Sequence, residues 1–186
     1  MIPTEAIVAA QARDRRRVVA DLIALTKPRV VLMILVTTVV GYYVGLSGAP
    51  DYAKLVHLLV GTLLAAGGTL ALNQYWERDV DARMERTRVR PLPEGRLAPL
   101  EALLFGTAVT VAGLGYLGAF VGSMVLLVTA ATTVLYLFAY TPLKLRTPLC
   151  TIVGAVPGAL PPVTGGNAPG TAPMIVQSGV LSLSGV

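Results

Sequence analysis

Residues 55–81, LVHLLVGTLLAAGGTLALNQYWERDVD, decide how the rest of the chain is interpreted. The apolar part, Leu55–Leu72, is long enough to cross most of the ~30 Å hydrocarbon core of a bilayer as a helix. The polar part places Asn73, Glu77 and Asp81 four residues apart, so on a continuing helix they share one face. The stretch therefore predicts a membrane helix that ends in an amide and two carboxylates, a suitable platform for a hard cation.

The composition is that of an integral membrane protein. Of the 186 residues, 54% are hydrophobic and 13% are charged, about half the charged fraction that is usual in soluble domains. The single cysteine, Cys150, has no partner for an internal disulfide and is interpreted as a small apolar residue. The net charge of +5 does not indicate a nucleic-acid partner, because the basic residues lie beside apolar runs.

The apolar runs predict an all-α fold, a polytopic transmembrane helix bundle with four to five spans. The last run is short and interrupted by prolines, so it is the weakest candidate. We divide the chain into a basic N-terminal segment (1–25), a membrane domain (26–165) and a tail rich in Gly, Pro and Ser (166–186). The five runs are Val30–Leu46, Leu55–Leu72, Leu100–Phe120, Gly122–Ala139 and Leu149–Val163.

The basic residues predict the orientation in the membrane. If the N-terminal flank and the connections after the second and fourth spans lie on one side, that side carries all of the 15 Lys and Arg residues except Lys54. The positive-inside rule places this side in the cytoplasm. We therefore expect a multi-pass protein of the cell inner (plasma) membrane whose N-terminus and polar connections are cytoplasmic.

Two cytoplasmic connections bring opposite charges to one face of the membrane. The acidic face of residues 73–81 is followed by Arg86 and Arg90, and the later connection offers Tyr140 and Lys144, which share a face if the helix continues. Mg²⁺ binds to one or two carboxylates and keeps its other positions for water and phosphate oxygens. Arginine and lysine would neutralise the remaining phosphate oxygens. The pattern therefore predicts a site for a metal-bound diphosphate.

Each of these residues also has a plainer interpretation. Glu77 and Asp81 could be ordinary charges at a solvated helix end, and only the face shared with Asn73 favours the ligand role. His57 lies at the opposite side of the membrane and is interpreted as an interfacial histidine. The aromatic residues are interpreted as interfacial belt residues, namely Tyr42, Tyr43, Tyr75 and Trp76.

The motif N-x-x-x-E-x-x-x-D of residues 73–81, followed by MERTRVRPLPEGR at 84–96, resembles the first aspartate-rich signature of the UbiA-type intramembrane prenyltransferases. Within that superfamily, the chain most resembles the protoheme IX farnesyltransferase (heme O synthase) group. LTKPR at 25–29, YTPLKLRTPL at 140–149 and VGAVPGALPP at 153–162 indicate that group. The resemblance covers residues 20–165.

The resemblance implies a bundle of nine spans around a cavity that opens to the cytoplasmic face. It implies transfer of farnesyl from farnesyl diphosphate to a vinyl group of protoheme IX, which gives heme O, with Mg²⁺ as cofactor. It also implies contact with the lipid bilayer, no nucleic acid, and heme A synthase or a terminal oxidase assembly as candidate partners. By resemblance, Asn73, Glu77 and Asp81 are catalytic and hold Mg²⁺, Tyr140 lies near the reacting carbon, and the diphosphate is bound by Arg86, Arg90 and Lys144.

The chain departs from the family pattern in two places. Glu77 stands where the family commonly has aspartate, and no acidic residue follows Glu101, so the second acidic motif is missing. We therefore expect the chain to be the N-terminal half to two-thirds of a longer enzyme, from a truncated or frameshifted gene. The alternatives are a quinone-type aromatic prenyltransferase and a non-catalytic membrane fragment. A transporter or channel is disfavoured, because the charges gather at one face rather than at mid-membrane.

Overall fold

The computed structural model describes residues 16–46, 48–144 and 150–168. These residues are mostly helical and contain no β-strand, which confirms the all-α fold class. The π-helical segment Leu135–Tyr140 joins the helix Ser123–Val134 to the short helix Thr141–Lys144. The helices are α1 (16–25), α2 (Pro28–Gly45), α3 (Tyr52–Asp81), α4 (Pro99–Phe120), α5 (Ser123–Val134), α6 (Thr141–Lys144) and α7 (Cys150–Gly166).

Four helical segments of the described chain are long and apolar enough to cross a membrane. They correspond to the first four predicted spans. The fourth combines α5, the π-helical segment and α6 into 22 residues, so the helix continues beyond the predicted end at Ala139. The segments are Pro28–Gly45, Tyr52–Asp81, Pro99–Phe120 and Ser123–Lys144.

Helix α3 is the longest element, and its length determines where its polar end lies. Its 30 residues correspond to about 45 Å of helix, whereas about 20 residues cross the hydrocarbon core. The Asp51 carboxylate accepts a hydrogen bond from the Lys54 N–H (3.1 Å) and so caps the start of the helix. If the core is crossed from this end, the residues from Asn73 onwards extend beyond it.

Glycines bring the backbones of α3 and α4 into direct contact. A Cβ atom added to Gly113 of α4 would lie 2.3 Å from the backbone nitrogen of Ala65. One added to Gly68 of α3 would lie 2.5 Å from the backbone nitrogen of Thr110. Membrane helices often associate through small residues of this kind, since lipid tails give little hydrophobic drive for helix pairing.

The prolines of the fifth apolar run do not break its helix, contrary to the sequence-based expectation. Helix α7 runs for 17 residues with Pro157, Pro161 and Pro162 inside it. Membrane helices tolerate proline where neighbouring helices pack against the affected backbone. Here α2 supplies that neighbour, because a Cβ atom on Gly41 would lie 2.0 Å from the carbonyl oxygen of Pro162.

The membrane end opposite the acidic face of α3 is closed by aromatic side chains. Tyr42 is completely buried, and its hydroxyl donates to the Asp51 carbonyl (3.2 Å) and accepts from the Asp51 N–H (3.0 Å). Its prediction as an interfacial belt residue is wrong, because the α2–α3 turn folds over it. His57 hydrogen-bonds the Tyr116 hydroxyl through Nδ1 (2.7 Å) and stacks on Phe120.

At the other end, α1 and the loop after α3 pack together over the bundle. Leu25 of α1 is fully buried against Ala71 of α3, Ala102 of α4, and Leu92 and Leu97 of the loop. An ion pair between Arg96 and Asp21 (3.3 Å) joins the same loop to α1. This packing fixes the loop beside the polar end of α3.

Candidate active site

The acidic face of α3 forms as the four-residue spacing predicts. Asn73, Glu77 and Asp81 lie on three successive turns near the end of one continuous helix. All three are buried, with 2%, 4% and 6% of their surface exposed. By contrast, the neighbouring Asp79 side chain is 78% exposed. A buried carboxylate needs a partner because its desolvation is costly, so the groups around this face define the site.

Each buried carboxylate is paired with a cation from another segment. Asp81 forms an ion pair with Arg90 of the loop after α3. Glu77 accepts from the Lys144 ammonium of α6 (3.2 Å). The Thr87 hydroxyl donates to the Asp81 carbonyl (2.9 Å), which fixes the loop that carries Arg90. Arg90 and Lys144 therefore lie where the sequence predicted basic neighbours of the acidic face.

The Asn73 amide joins α3 to two further segments. Its Oδ1 accepts from the Lys27 ammonium (3.3 Å), and its Nδ2 donates to the Thr141 hydroxyl (3.1 Å). Thr141 in turn donates to the Tyr136 carbonyl (2.8 Å), a bond that spans five residues of the π-helical segment. The amide thus connects the start of α2, the end of α3 and the fourth membrane-spanning segment.

Lys27 reaches the site from an unusual backbone conformation. Its φ of 49° and ψ of 67° are left-handed, and no other non-glycine residue in the described part of the chain has a positive φ. The Gln74 amide holds the turn by donating to the Leu25 carbonyl (2.9 Å). Burial lowers the pKa of the Lys27 ammonium, as does the nearby Arg90 charge, while Glu77 raises it. Burial is the largest cause of this lowered pKa, and the Glu77 and Asp81 carboxylates oppose it.

An apolar cavity of about 680 Å³ begins next to this polar cluster. Tyr136 and Tyr140 lie on its wall with their rings stacked 5.3 Å apart. Leu70, one turn before Asn73 on α3, also lines it. The other lining residues are mainly aliphatic side chains and threonines of α2, α3, α5 and α7, including Ile34, Ala66, Thr69, Thr133, Pro157 and Pro161.

Arg86 is not part of this cluster, although the sequence placed it with the diphosphate-binding residues. Its side chain is exposed on the loop after α3, and it forms no ion pair with any residue that the structure describes. Tyr140 does lie beside the cluster, on the cavity wall. The catalytic and binding roles of all these residues stay predictions.

Sequence reasoning missed Lys27, Thr141 and Tyr136. Lys27 was noted only as a basic flank of the first span and within the LTKPR block at 25–29. Pro28 after it predicts where the helix begins, but not the left-handed turn that brings Lys27 to the site. Thr141 lies in the YTPLKLRTPL block and Tyr136 in no motif, and neither position indicates a contact with Asn73, because that contact depends on how the fourth span docks against α3.

The oxygen donors of the cluster fit a hard divalent cation. These donors are the carboxylates of Glu77 and Asp81 and the amide of Asn73. The described residues hold no group of three or more His, Cys, Asp or Glu side chains that could bind a metal, so the third ligand here would be the amide oxygen. No described residue donates a hydrogen bond to Glu77 Oε2 or Asp81 Oδ1. Two carboxylates suit Mg²⁺, which usually completes its sphere with water and substrate phosphate.

Comparison with known proteins gives the same picture. Residues 34–184 match the UbiA prenyltransferase family. The match therefore extends past residue 165 into residues 166–186, which the sequence analysis separated as a tail. A protoheme IX farnesyltransferase of Solibacter usitatus is 47% identical over 154 residues, which are 78% of this chain and 53% of the relative. One from Myxococcus xanthus is 46% identical over 165 residues, 86% of this chain and 54% of the relative.

A solved structure shares the fold. A UbiA homolog from Archaeoglobus fulgidus, bound to GPP and Mg²⁺, superposes with a TM-score of 0.71 over 88% of this chain and 59% of the homolog, at 19% identity. The resemblance inferred from sequence is confirmed. The chain spans about half the length of the curated relatives it matches.

Proposed function

The chain belongs to the UbiA prenyltransferase family, and from that premise we propose that it binds farnesyl diphosphate with Mg²⁺ and transfers the farnesyl group to a vinyl group of protoheme IX. One observation carries the proposal. The buried carboxylates Glu77 and Asp81, paired with Lys144 and Arg90, lie beside an apolar cavity whose wall includes Tyr140. A polar cluster next to a largely apolar cavity suits a ligand with a diphosphate head and a prenyl tail.

Different residues would bind the metal ion, the diphosphate head and the prenyl tail of the substrate. Glu77, Asp81 and the Asn73 amide would hold Mg²⁺, which when bound neutralises the diphosphate and stabilises its departure. Arg90 and Lys144 would bind the remaining phosphate oxygens by charge-assisted hydrogen bonds. The cavity would enclose the prenyl chain and exclude water from the reacting carbon. Arg86 stays a candidate for the same head group from its exposed position on the loop.

The chemistry would proceed by loss of the diphosphate. The bond between the farnesyl carbon and the diphosphate oxygen breaks, and its electron pair leaves with the diphosphate. Positive charge develops on the allylic carbon, beside the face of Tyr140. The vinyl π electrons of the heme form the new carbon–carbon bond, and water then adds to the resulting cation and releases a proton, which gives the hydroxyethylfarnesyl group. The protein's main contribution is electrostatic stabilisation of the departing group.

The assignment of protoheme IX as the acceptor is supported by the names of the relatives and by the sequence blocks at 25–29, 140–149 and 153–162. The multi-pass fold, with the polar cluster at the end rich in Lys and Arg, supports a cell-membrane protein whose site faces the cytoplasm. Heme A synthase or a terminal oxidase assembly would be the expected consumers of the product. A quinone-type aromatic acceptor is the alternative within the family.

The acceptor can be tested with the full chain in liposomes. The protein is incubated with Mg²⁺, farnesyl diphosphate and either protoheme IX or 4-hydroxybenzoate, and products are separated by chromatography and identified by mass. We expect a farnesylated heme. Product from the aromatic acid alone would overturn the heme acceptor. Binding of farnesyl diphosphate without product from either acceptor would show a non-catalytic chain.

The carboxylates can be tested against a matched control. Glu77→Gln and Asp81→Asn each remove one buried charge, whereas Asp79→Asn removes an exposed one from the same turn of helix. We expect the first two variants to lose Mg²⁺-dependent binding of farnesyl diphosphate, measured by calorimetry, and the third to keep it. Equal binding by all three variants would remove the carboxylates from the site.

A further inference from the structure

Lys27 places a third cation in the polar cluster, and the site predicted from sequence does not include it. Its ammonium donates to the same Asn73 oxygen that would serve a metal ion. Both Arg90 and Lys144 already pair with a carboxylate. Lys27 therefore gives the cluster a surplus of positive charge: three cations against Glu77 and Asp81.

The backbone of Lys27 is held for this contact at a cost. A left-handed conformation is disfavoured for a non-glycine residue, because its Cβ atom crowds the following carbonyl oxygen. Such conformations persist where the surroundings impose them, often at functional sites. Here Gln74, the neighbour of Asn73 on α3, donates to the Leu25 carbonyl and so fixes the turn that carries Lys27. Two neighbouring residues of α3 thus hold this turn: Gln74 supports its backbone, and Asn73 accepts from the Lys27 ammonium.

We propose that Lys27 makes metal binding at this site conditional on the diphosphate, an inference that rests on the proposed function. A bare divalent cation near Asn73 must compete with the ammonium and meets an excess of positive charge. The complex of a divalent cation with a prenyl diphosphate carries net negative charge, which the same excess attracts. The site would therefore admit the metal together with its substrate and discriminate against the free ion. Lys27 is a positioning residue in this scheme, since it acts through Asn73 and through its charge.

The test uses Mn²⁺ as a spectroscopic substitute for Mg²⁺, with the purified full chain in detergent. Free and bound Mn²⁺ are separated by electron paramagnetic resonance, first alone and then with inorganic pyrophosphate. In the native protein we expect weak binding of Mn²⁺ alone and a large increase in affinity with pyrophosphate. In Lys27→Met we expect Mn²⁺ alone to bind about tenfold tighter or more, because one nearby positive charge is gone, and the gain from pyrophosphate to shrink.

Two further variants separate charge from structure. Lys27→Gly removes the ammonium and accepts the left-handed backbone without strain, so it should behave as Lys27→Met does even if the methionine disturbs the turn. Arg29→Met removes an exposed cation two residues away, and should leave Mn²⁺ binding as in the native protein.

The outcomes distinguish this inference from the proposed function. If the native protein binds Mn²⁺ equally well with and without pyrophosphate, or if both Lys27 variants behave like Arg29→Met, the conditional binding is refuted and the diphosphate site stands. If no variant binds Mn²⁺ even with pyrophosphate or farnesyl diphosphate, the proposed function fails as well.

Discussion

A single methyl group at Gly113 should weaken the central helix pair. The Cβ atom of Gly113→Ala would lie 2.3 Å from the nitrogen and 2.8 Å from the Cα of Ala65, and 2.9 Å from the carbonyl carbon of Leu64. Ordinary carbon contacts are about 3.5–4.0 Å. All three neighbours are backbone atoms, so no side chain can rotate away and the helices must separate. Overpacking costs about 1–3 kcal/mol, and we expect a value near the upper end.

Gly115 supplies the matched control two residues further along the same helix. A Cβ atom there meets nothing within 4 Å, so Gly115→Ala should leave the free energy of unfolding unchanged or raise it by up to about 1 kcal/mol, because alanine favours a helix over glycine. The assay is an equilibrium titration with SDS in mixed micelles, followed by the fluorescence of the single tryptophan, Trp76. If Gly113→Ala unfolds within about 0.5 kcal/mol of Gly115→Ala, the close backbone contact between α3 and α4 is wrong.

Three further predictions concern other parts of the chain. Hydrogen bonds from Lys54 lower the pKa of Asp51, so Asp51→Ala should lower the melting temperature at neutral pH, and the difference should vanish as the pH falls through that lowered pKa. His57→Phe should keep diphosphate binding in calorimetry, because its contact with Tyr116 lies at the opposite membrane end; a loss of binding would place the site elsewhere. Thr133→Phe should fill part of the cavity and weaken binding of farnesyl diphosphate more than that of dimethylallyl diphosphate, whereas equal losses would contradict the cavity as the prenyl site.

Local periodicity was sufficient to predict the acidic face. Asn73, Glu77 and Asp81 lie on one helix face, as their spacing predicts, whereas their burial comes from the segments that pack against this face. The basic neighbours were also predictable in kind, because Arg90 lies in the connection after α3 and Lys144 at the end of the fourth span, both at the same membrane end. These features depend on helix geometry and on charge distribution, which the sequence shows directly.

The contacts between distant segments were not predictable in the same way. Asn73 forms hydrogen bonds with Lys27, which is 46 residues away in the sequence, and with Thr141, which is 68 residues away. Both contacts depend on how α2 and the fourth span dock against α3, which no local pattern describes. The left-handed turn at Lys27 is equally hidden, since a residue before proline usually adopts an extended conformation. The continuity of α7 through its prolines depends on α2 beside it.

The length of α3 also makes the protein sensitive to the thickness of its membrane. About 20 of its 30 residues match a hydrocarbon layer of ~30 Å, and Asn73 follows directly after that part. In a thicker bilayer, hydrophobic mismatch would draw the turn of Asn73 and Glu77 towards the acyl chains, at a modest cost for each ångström. The lipid composition would then adjust the hydration of the ion pairs, and so the ease with which a charged head group enters, without any change in the protein.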